Sequence, residues 1–389
     1  MIKPSDSYKV LVVGNATIDA YLIDVETKPE GKKIILYYGQ KTIEIELTEP
    51  ISRGEKATAS QHLFPYLEEF DFEQEFGGGG LNTLLELAKM EPRQELVLKD
   101  EVEPRIAYLD MSTPSLDTAH PGKSLRDLLI SEGIVPRFIS TRSIPLNFIL
   151  NSRADKMILK SPINTSNVLG SDVHAIENFI ADFRPSHFIL NSLKDEGLAC
   201  RLALEKNVYA VVTKSLSPEI VKGRILNTCA CQFNYDEFAY TMEHKVMGDE
   251  RDKFETAIED VEILRKDFSP SYPIFVTLGK RGVLVATQDD TYHIELQSEF
   301  TSQVKHHIEK DPSVVCGAGD AFAAHAFRGL VNGYSPLETG VIANLGALNY
   351  LGFSKFSPSA YNVGKCENGK KPKEYSNEIP KMIETKLKR

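Results

Sequence analysis

The apolar positions of this chain follow two rhythms. Val10-Leu11-Val12-Val13 is an unbroken apolar run ending at Gly14, the pattern of a strand buried on both faces of a parallel sheet. Similar runs at 106–109, 187–190, 208–212 and 274–278 predict further buried strands. Between them, helical spacing of apolar residues predicts helices over 81–90, 123–132, 173–183, 250–266, 319–332 and 337–351. Strands alternating with helices in this way predict an α/β fold built on a doubly wound, mostly parallel sheet. Residues 32–47 read differently. Lys33 to Tyr38, a turn at Gly39-Gln40-Lys41, and Thr42 to Leu47 form the two arms of a hairpin, the second alternating strictly between polar and apolar. A second hairpin is expected at 146–160, with its turn at 151–155. Two half-buried hairpins in an α/β chain point to a small sheet standing apart from the main one.

Composition narrows the class. The chain has 389 residues, 42% hydrophobic and 26% charged, which suits a soluble globular protein with a sizeable core. Its 45 lysines and arginines stand against 55 acidic residues, a net charge of −10 that argues against a nucleic-acid partner. No apolar run reaches the roughly 18 residues that span a bilayer, and the first residues lack a signal-peptide core. The five cysteines are odd in number, and Cys229-x-Cys231 lacks a second pair or nearby histidine to complete a zinc site. A cytoplasmic protein without membrane or nucleic-acid partners is therefore expected.

Four stretches carry candidate chemistry. In Cys316-Gly317-Ala318-Gly319-Asp320, small residues run into a helical pattern. Their N–H groups can converge on an anion, with the positive end of the helix behind them. A carboxylate there suits a general base, although aspartate also favours a first helical turn for its own sake. In Phe76-Gly77-Gly78-Gly79-Gly80-Leu81-Asn82, four glycines permit close approach of backbone to a ligand, with Asn82 at a helix start; a flexible loop is the bland alternative. Asn234-Tyr235-Asp236-Glu237 reads either as an acidic cluster able to order a magnesium-bound water or as a polar helix start. Thr277-Leu278-Gly279-Lys280-Arg281-Gly282 reads as a glycine turn between two strands. Asn15, Thr17 and Asp19 follow the first strand's carboxyl end, where α/β sheets bind ligands. Pro121-Gly122-Lys123-Ser124 mimics a Walker A ending, but Asp117 stands where that motif needs glycine.

In their order along the chain, the stretches resemble the ribokinase-like (PfkB) carbohydrate kinases over about residues 8–355. The resemblance implies a central mostly parallel sheet flanked by helices, with a small β lid at about 32–47 and 146–160. The kinase domain would cover 1–364; the charge of residues 365–389 reads as a solvated tail with a short helix over 378–388. It implies an ATP-dependent transfer of a phosphoryl group to a hydroxyl of a sugar, sugar derivative or nucleoside. Asp320 would be the base, and Gly317, Ala318 and Gly319 the anion hole. Asp19, Asn15, Gly78, Gly79 and Asn82 would hold the substrate. Thr277, Gly279, Gly282 and Asn344 would meet ATP, and Asn234 with Glu237 would serve Mg2+. Two lids would pair into a homodimer. Val314, Cys316 and His325 depart from the family's usual residues and motivate an alternative, a catalytically impaired kinase-like binding or regulatory protein. A relative acting on a hydroxymethyl group of a vitamin-like heterocycle is a third possibility, disfavoured by the two lid hairpins. The long gap from Asp19 to Gly77 points to an enlarged lid or an insertion.

Overall fold

The computed structural model describes residues 8–387 except 23–25, 31, 39, 47–55, 59–71, 92–103, 111–123, 140–145, 153–154, 161–169, 194, 245–249, 269 and 311–314. The chain begins with β1 (Val10–Gly14), β2 (Thr17–Leu22), β3 (Glu26–Glu30), β4 (Lys33–Tyr38), β5 (Lys41–Glu46), β6 (Lys56–Thr58), β7 (Phe72–Gly77) and α1 (Gly79–Met90). Then come β8 (Ile106–Asp110), α2 (Leu125–Ser131), β9 (Val135–Phe138), β10 (Leu146–Ser152), β11 (Asp155–Lys160), α3 (Gly170–Phe183), β12 (His187–Asn191), α4 (Glu196–Leu202) and β13 (Val208–Val211). A short helical stretch over 218–228 leads to β14 (Ala230–Asn234), α5 (Tyr235–Thr241), α6 (Glu250–Phe268), β15 (Ile274–Thr277), β16 (Val283–Ala286) and β17 (Thr291–Leu296). The chain ends with α7 (Ser298–Lys310), α8 (Ala318–Val331), α9 (Pro336–Tyr350), β18 (Tyr361–Cys366) and α10 (Glu378–Leu387).

Ten strands form one sheet in the order β18-β17-β16-β15-β14-β13-β12-β1-β8-β9. It is parallel from β15 to β9 and antiparallel from β15 to β18. The unbroken apolar runs are explained by burial on both faces. Val10 and Val12 pack with Leu81, Leu84, Phe322 and Phe327 in one core. Leu11 and Val13 pack with Ile176, Phe183, Leu198 and Val261 in the other.

The two expected hairpins exist, but they belong to two small sheets rather than one. β10 and β11 lie in a five-stranded sheet ordered β6-β11-β10-β2-β7, whereas β4 and β5 form a three-stranded sheet with β3. The division follows from pairing: β10 is held by β2, and β2 by β7, the strands flanking the core's β1 and α1. β3 escapes an apolar reading because its sequence is Glu-Thr-Lys-Pro-Glu; as an edge strand it tolerates Pro29. The three-stranded sheet buries Ile34, Leu36 and Ile45 on one face. This sheet fills part of the long gap between Asp19 and Gly77.

The end of the chain is built into the fold. Lys365 and Cys366, assigned to a charged tail, close β18 against β17, and Lys365 pairs with Asp290 at 2.6 Å. α10 buries Pro380 and Ile383. All five cysteines are free thiols; burial pushes Cys229 up to about 12 and Cys231 well up, which leaves both unreactive. Among the described residues no helix is long and apolar enough to cross a membrane.

Candidate active site

The site grows from a crossing of two backbones at the carboxyl end of β1. A Cβ on Gly14 would lie 2.8 Å from the Cα of Gly80 and 2.5 Å from the carbonyl oxygen of Asn191. Glycine at both 14 and 80 lets the first turn of α1 rest directly on the strand. Gly78, ahead of the helix, sits at φ 98, and a Cβ there would approach Asn15 O to 2.6 Å. A Cβ on Gly79 would meet Asn191 Oδ1 at 2.6 Å. The glycine run is thus a close-packed support, which disposes of the flexible-loop reading.

α8 arrives on the opposite side. Its N-cap, Gly317, is left-handed at φ 87 and supplies no side chain to cap the helix. The first-turn N–H groups have no intrahelical acceptors. Asp320, in that turn, reaches both other elements. Asn82 donates from Nδ2 to Asp320 Oδ2 at 3.2 Å, and Asn191 donates from Nδ2 to Asp320 Oδ1 at 3.1 Å. Thr83 donates from its hydroxyl to Asp320 O at 3.3 Å. The structure therefore brings Gly78, Gly79, Asn82, Gly317, Ala318, Gly319 and Asp320 together. Asn15 joins them by donating from Nδ2 to Ser192 O at 2.9 Å. Asp19 lies in β2, in register with Glu75 of β7 and Asn147 of β10.

A second group gathers at the ends of β14 and β15, where Asn234 and Thr277 are register partners. Asn234 and Glu237 close a capping box on α5. Asn234 Oδ1 accepts from Glu237 N at 2.8 Å, and Glu237 Oε2 accepts from Asn234 N at 3.2 Å. The polar-helix-start reading describes what these side chains do here. Thr277 donates to Phe233 O at 3.2 Å. After it, Gly279 (φ 59) and Gly282 (φ 83) shape the turn into β16, and a side chain at 282 would overlap Ile294 O. Asn344, on α9, directs its amide to Gly340 O at 3.0 Å. Mg2+ fits this group only through water and phosphate. Among the described residues no three metal-ligating side chains cluster, and Mg2+ characteristically takes one or two carboxylates and keeps several waters.

Gln232, buried on β14, joins the two groups. It donates from Nε2 to Gly319 O at 2.9 Å, and its Oε1 accepts from Tyr209 OH at 3.1 Å. Burial pushes the Tyr209 hydroxyl well up, so it stays protonated and donates. Sequence reading missed Gln232, Asn191, Ser192 and Thr83. For Gln232 and Asn191 the available signal was a polar residue within or ending an apolar strand, which buried chains tolerate only with a partner. His325 is accommodated by packing: its ring lies against Gly346 of α9, where a Cβ would overlap it, and burial pulls its pKa down.

The sequence matches no protein-family model and no curated protein. Solved structures do match over nearly the whole chain. Adenosine kinase from Schistosoma mansoni in complex with tubercidin superposes with a TM-score of 0.60 at 12% identity, covering 89% of this chain and 95% of its own. Anopheles gambiae adenosine kinase gives 0.57 at 13%, covering 90% and 97%. Phosphofructokinase-2 from Escherichia coli in complex with potassium gives 0.55 at 14%, covering 100% of both chains. The shared architecture is the ribokinase-like fold of sugar and nucleoside kinases.

Proposed function

We propose that this chain, with its ribokinase-like fold, is an ATP-dependent phosphotransferase that phosphorylates a hydroxyl of a sugar, sugar derivative or nucleoside. One observation carries the reading. Asp320 stands in the first turn of an uncapped helix and is hydrogen-bonded to Asn82 on the glycine-run helix opposite. A base and an anion hole on one helical turn, facing a polar floor, suit in-line transfer to a hydroxyl.

In this reading Asp320 takes the proton of the acceptor hydroxyl, and the N–H groups of Gly317, Ala318 and Gly319 stabilise the charge on the transferring group. Asp19, Asn15, Gly78, Gly79 and Asn82 hold the acceptor. Thr277, Gly279, Gly282 and Asn344 seat the nucleotide. Asn234 and Glu237 would orient the water shell of Mg2+, which neutralises phosphate charge when bound. The reading also expects two copies to pair through the lid sheets; a monomer mass by light scattering at micromolar concentration would remove that part.

The test is ADP release with magnesium and ATP across pentoses, hexoses, phosphosugars and nucleosides. Turnover on one class is expected, falling about 10²–10⁴-fold in Asp320→Asn. A variant with wild-type turnover would remove Asp320 as the base. Cys316, beside the anion turn, favours the second reading, a binding or regulatory protein; nucleotide binding without turnover on any acceptor is the outcome that would select it.

A further inference from the structure

We infer that Asn191, at the carboxyl end of β12, is a positioning residue that fixes the carboxylate of Asp320; the inference rests on the kinase reading above. Asn191 is 1% exposed, and its amide stands where three elements meet. Nδ2 faces Gly79 O at 2.9 Å, Thr83 Oγ1 at 2.8 Å and Asp320 Oδ1 at 3.1 Å. Its Oδ1 accepts from the Ser192 hydroxyl at 3.0 Å.

The surroundings dictate the orientation of that amide. A carbonyl and an ionised carboxylate can only accept, so the nitrogen must face them. A flipped amide would set oxygen against both. Thr83 uses its own proton on Asp320 O, which leaves its oxygen to accept from Asn191. The two hydrogens on Nδ2 serve three acceptors, so one of them is shared, and turning the amide over would forfeit them all.

The result is a carboxylate held at both oxygens by amides from different elements: Asn82 from α1 on Oδ2, Asn191 from β12 on Oδ1. Donors on both oxygens fix the plane from which the carboxylate acts. Asn191 does not contact the reacting atoms in this scheme; it acts through Asp320. Ser192 supports it from behind. It is a non-glycine residue at φ 58, and in that left-handed conformation its hydroxyl reaches back to Asn191 Oδ1 while its carbonyl accepts from Asn15. Gly79 completes the fit, because any side chain there would displace the amide.

Two measurements test the role. The first is kinetic. Asn191→Ala is expected to lower kcat about 10²-fold, the usual effect of misplacing a reacting group, with the KM for ATP and acceptor changed less than about threefold. A kcat within twofold of wild type, or a loss carried by KM, would overturn it. The second does not need turnover: a thermal-unfolding cycle of Asn191→Asp, Asp320→Asn and the double variant. Asn191→Asp sets two carboxylates together and lowers Tm; adding Asp320→Asn restores a donor–acceptor pair and is expected to recover most of that loss. Strictly additive shifts would show that the two side chains do not interact and would sink the inference. A wild-type protein that binds ATP yet turns over no acceptor would instead sink the kinase reading, whichever way the cycle came out.

Discussion

Gly14 leaves no room for a methyl group. Backbone atoms of Asn191 and Gly80 both stand within 3 Å of where one would go, so neither neighbour can swing aside. Gly14→Ala should cost about 1–3 kcal/mol, read as a lower urea midpoint at unchanged slope. His293 offers a residue-scale prediction in pH. Its Nε2 lies 2.6 Å from Arg281 O, which can only accept, so Nε2 carries the proton and Nδ1 accepts from Tyr375 OH at 2.8 Å. Burial, aided by the nearby Arg281 charge, pulls its pKa down to about 4 from an ordinary 6.5. The unfolded chain therefore binds the proton more readily. This contribution to stability is complete above about pH 6.5 and is lost as pH falls through 4, by roughly 3 kcal/mol at most. Thermal melts between pH 4 and 7 should show a slope that His293→Gln flattens; an unchanged slope would remove His293 as its source. At this scale, legibility followed uniqueness. Four adjacent glycines and a Gly-Ala-Gly-Asp turn have few other uses, so they stood out in the sequence. Asn191 and Gln232 looked like ordinary polar residues on apolar strands, because their roles exist only once β12, β14, α1 and α8 are assembled.

The same hydrogen-bond chain has a meaning for elements. Tyr375 lies in the segment between β18 and α10, and through His293 on β17 it holds the carbonyl of Arg281 in the turn that follows β15. A segment far along the sequence thus braces the proposed nucleotide turn. Tyr375→Phe should weaken ATP binding severalfold in calorimetry and leave acceptor affinity alone; equal loss for both ligands would point to general destabilisation instead. Helices were the most legible elements. The expected 319–332 and 337–351 are observed as Ala318–Val331 and Pro336–Tyr350; the first carries a long apolar face, and the second opens on Pro336 and a Ser335–Glu338 capping box. Strands of the small sheets were less so. β2, β6 and β7 gain definition from their partners rather than from their own pattern, and β3 is polar with a proline. In the final segment the helix expected over 378–388 is observed as Glu378–Leu387, but its charge hid its packing: α10 exposes lysines on one side and buries Ile383 on the other.

For the whole molecule, the register of β2 with β7 is decisive. Leu22 pairs with Phe72, so residues 23–71 leave and return at neighbouring points of one antiparallel ladder. Neither main core contains Ile34, Leu36 or Ile45, the buried residues of the three-stranded sheet. Replacing 23–71 by a two-residue Asn-Gly turn should therefore leave the ten-stranded sheet folded, with Tm shifted by only a few degrees and ATP affinity retained. Turnover on the acceptor should fall, because β6 no longer covers β11. Collapse of the fold would show that the excursion is part of the core. The central strand carries a different consequence, one of timing. β1 lies between β8 and β12, and the bond from Lys9 N to Ser186 Oγ beside it spans 177 residues of sequence. At about 5–20 residues per second, the ribosome finishes β12 roughly 10–35 s after β1. β8 can cover one edge of Val10 to Gly14 once it emerges, but the edge that β12 takes stays open throughout that wait, a template for wrong pairing. The strand on which the site is built thus keeps one apolar edge exposed through much of synthesis, where a chaperone would act.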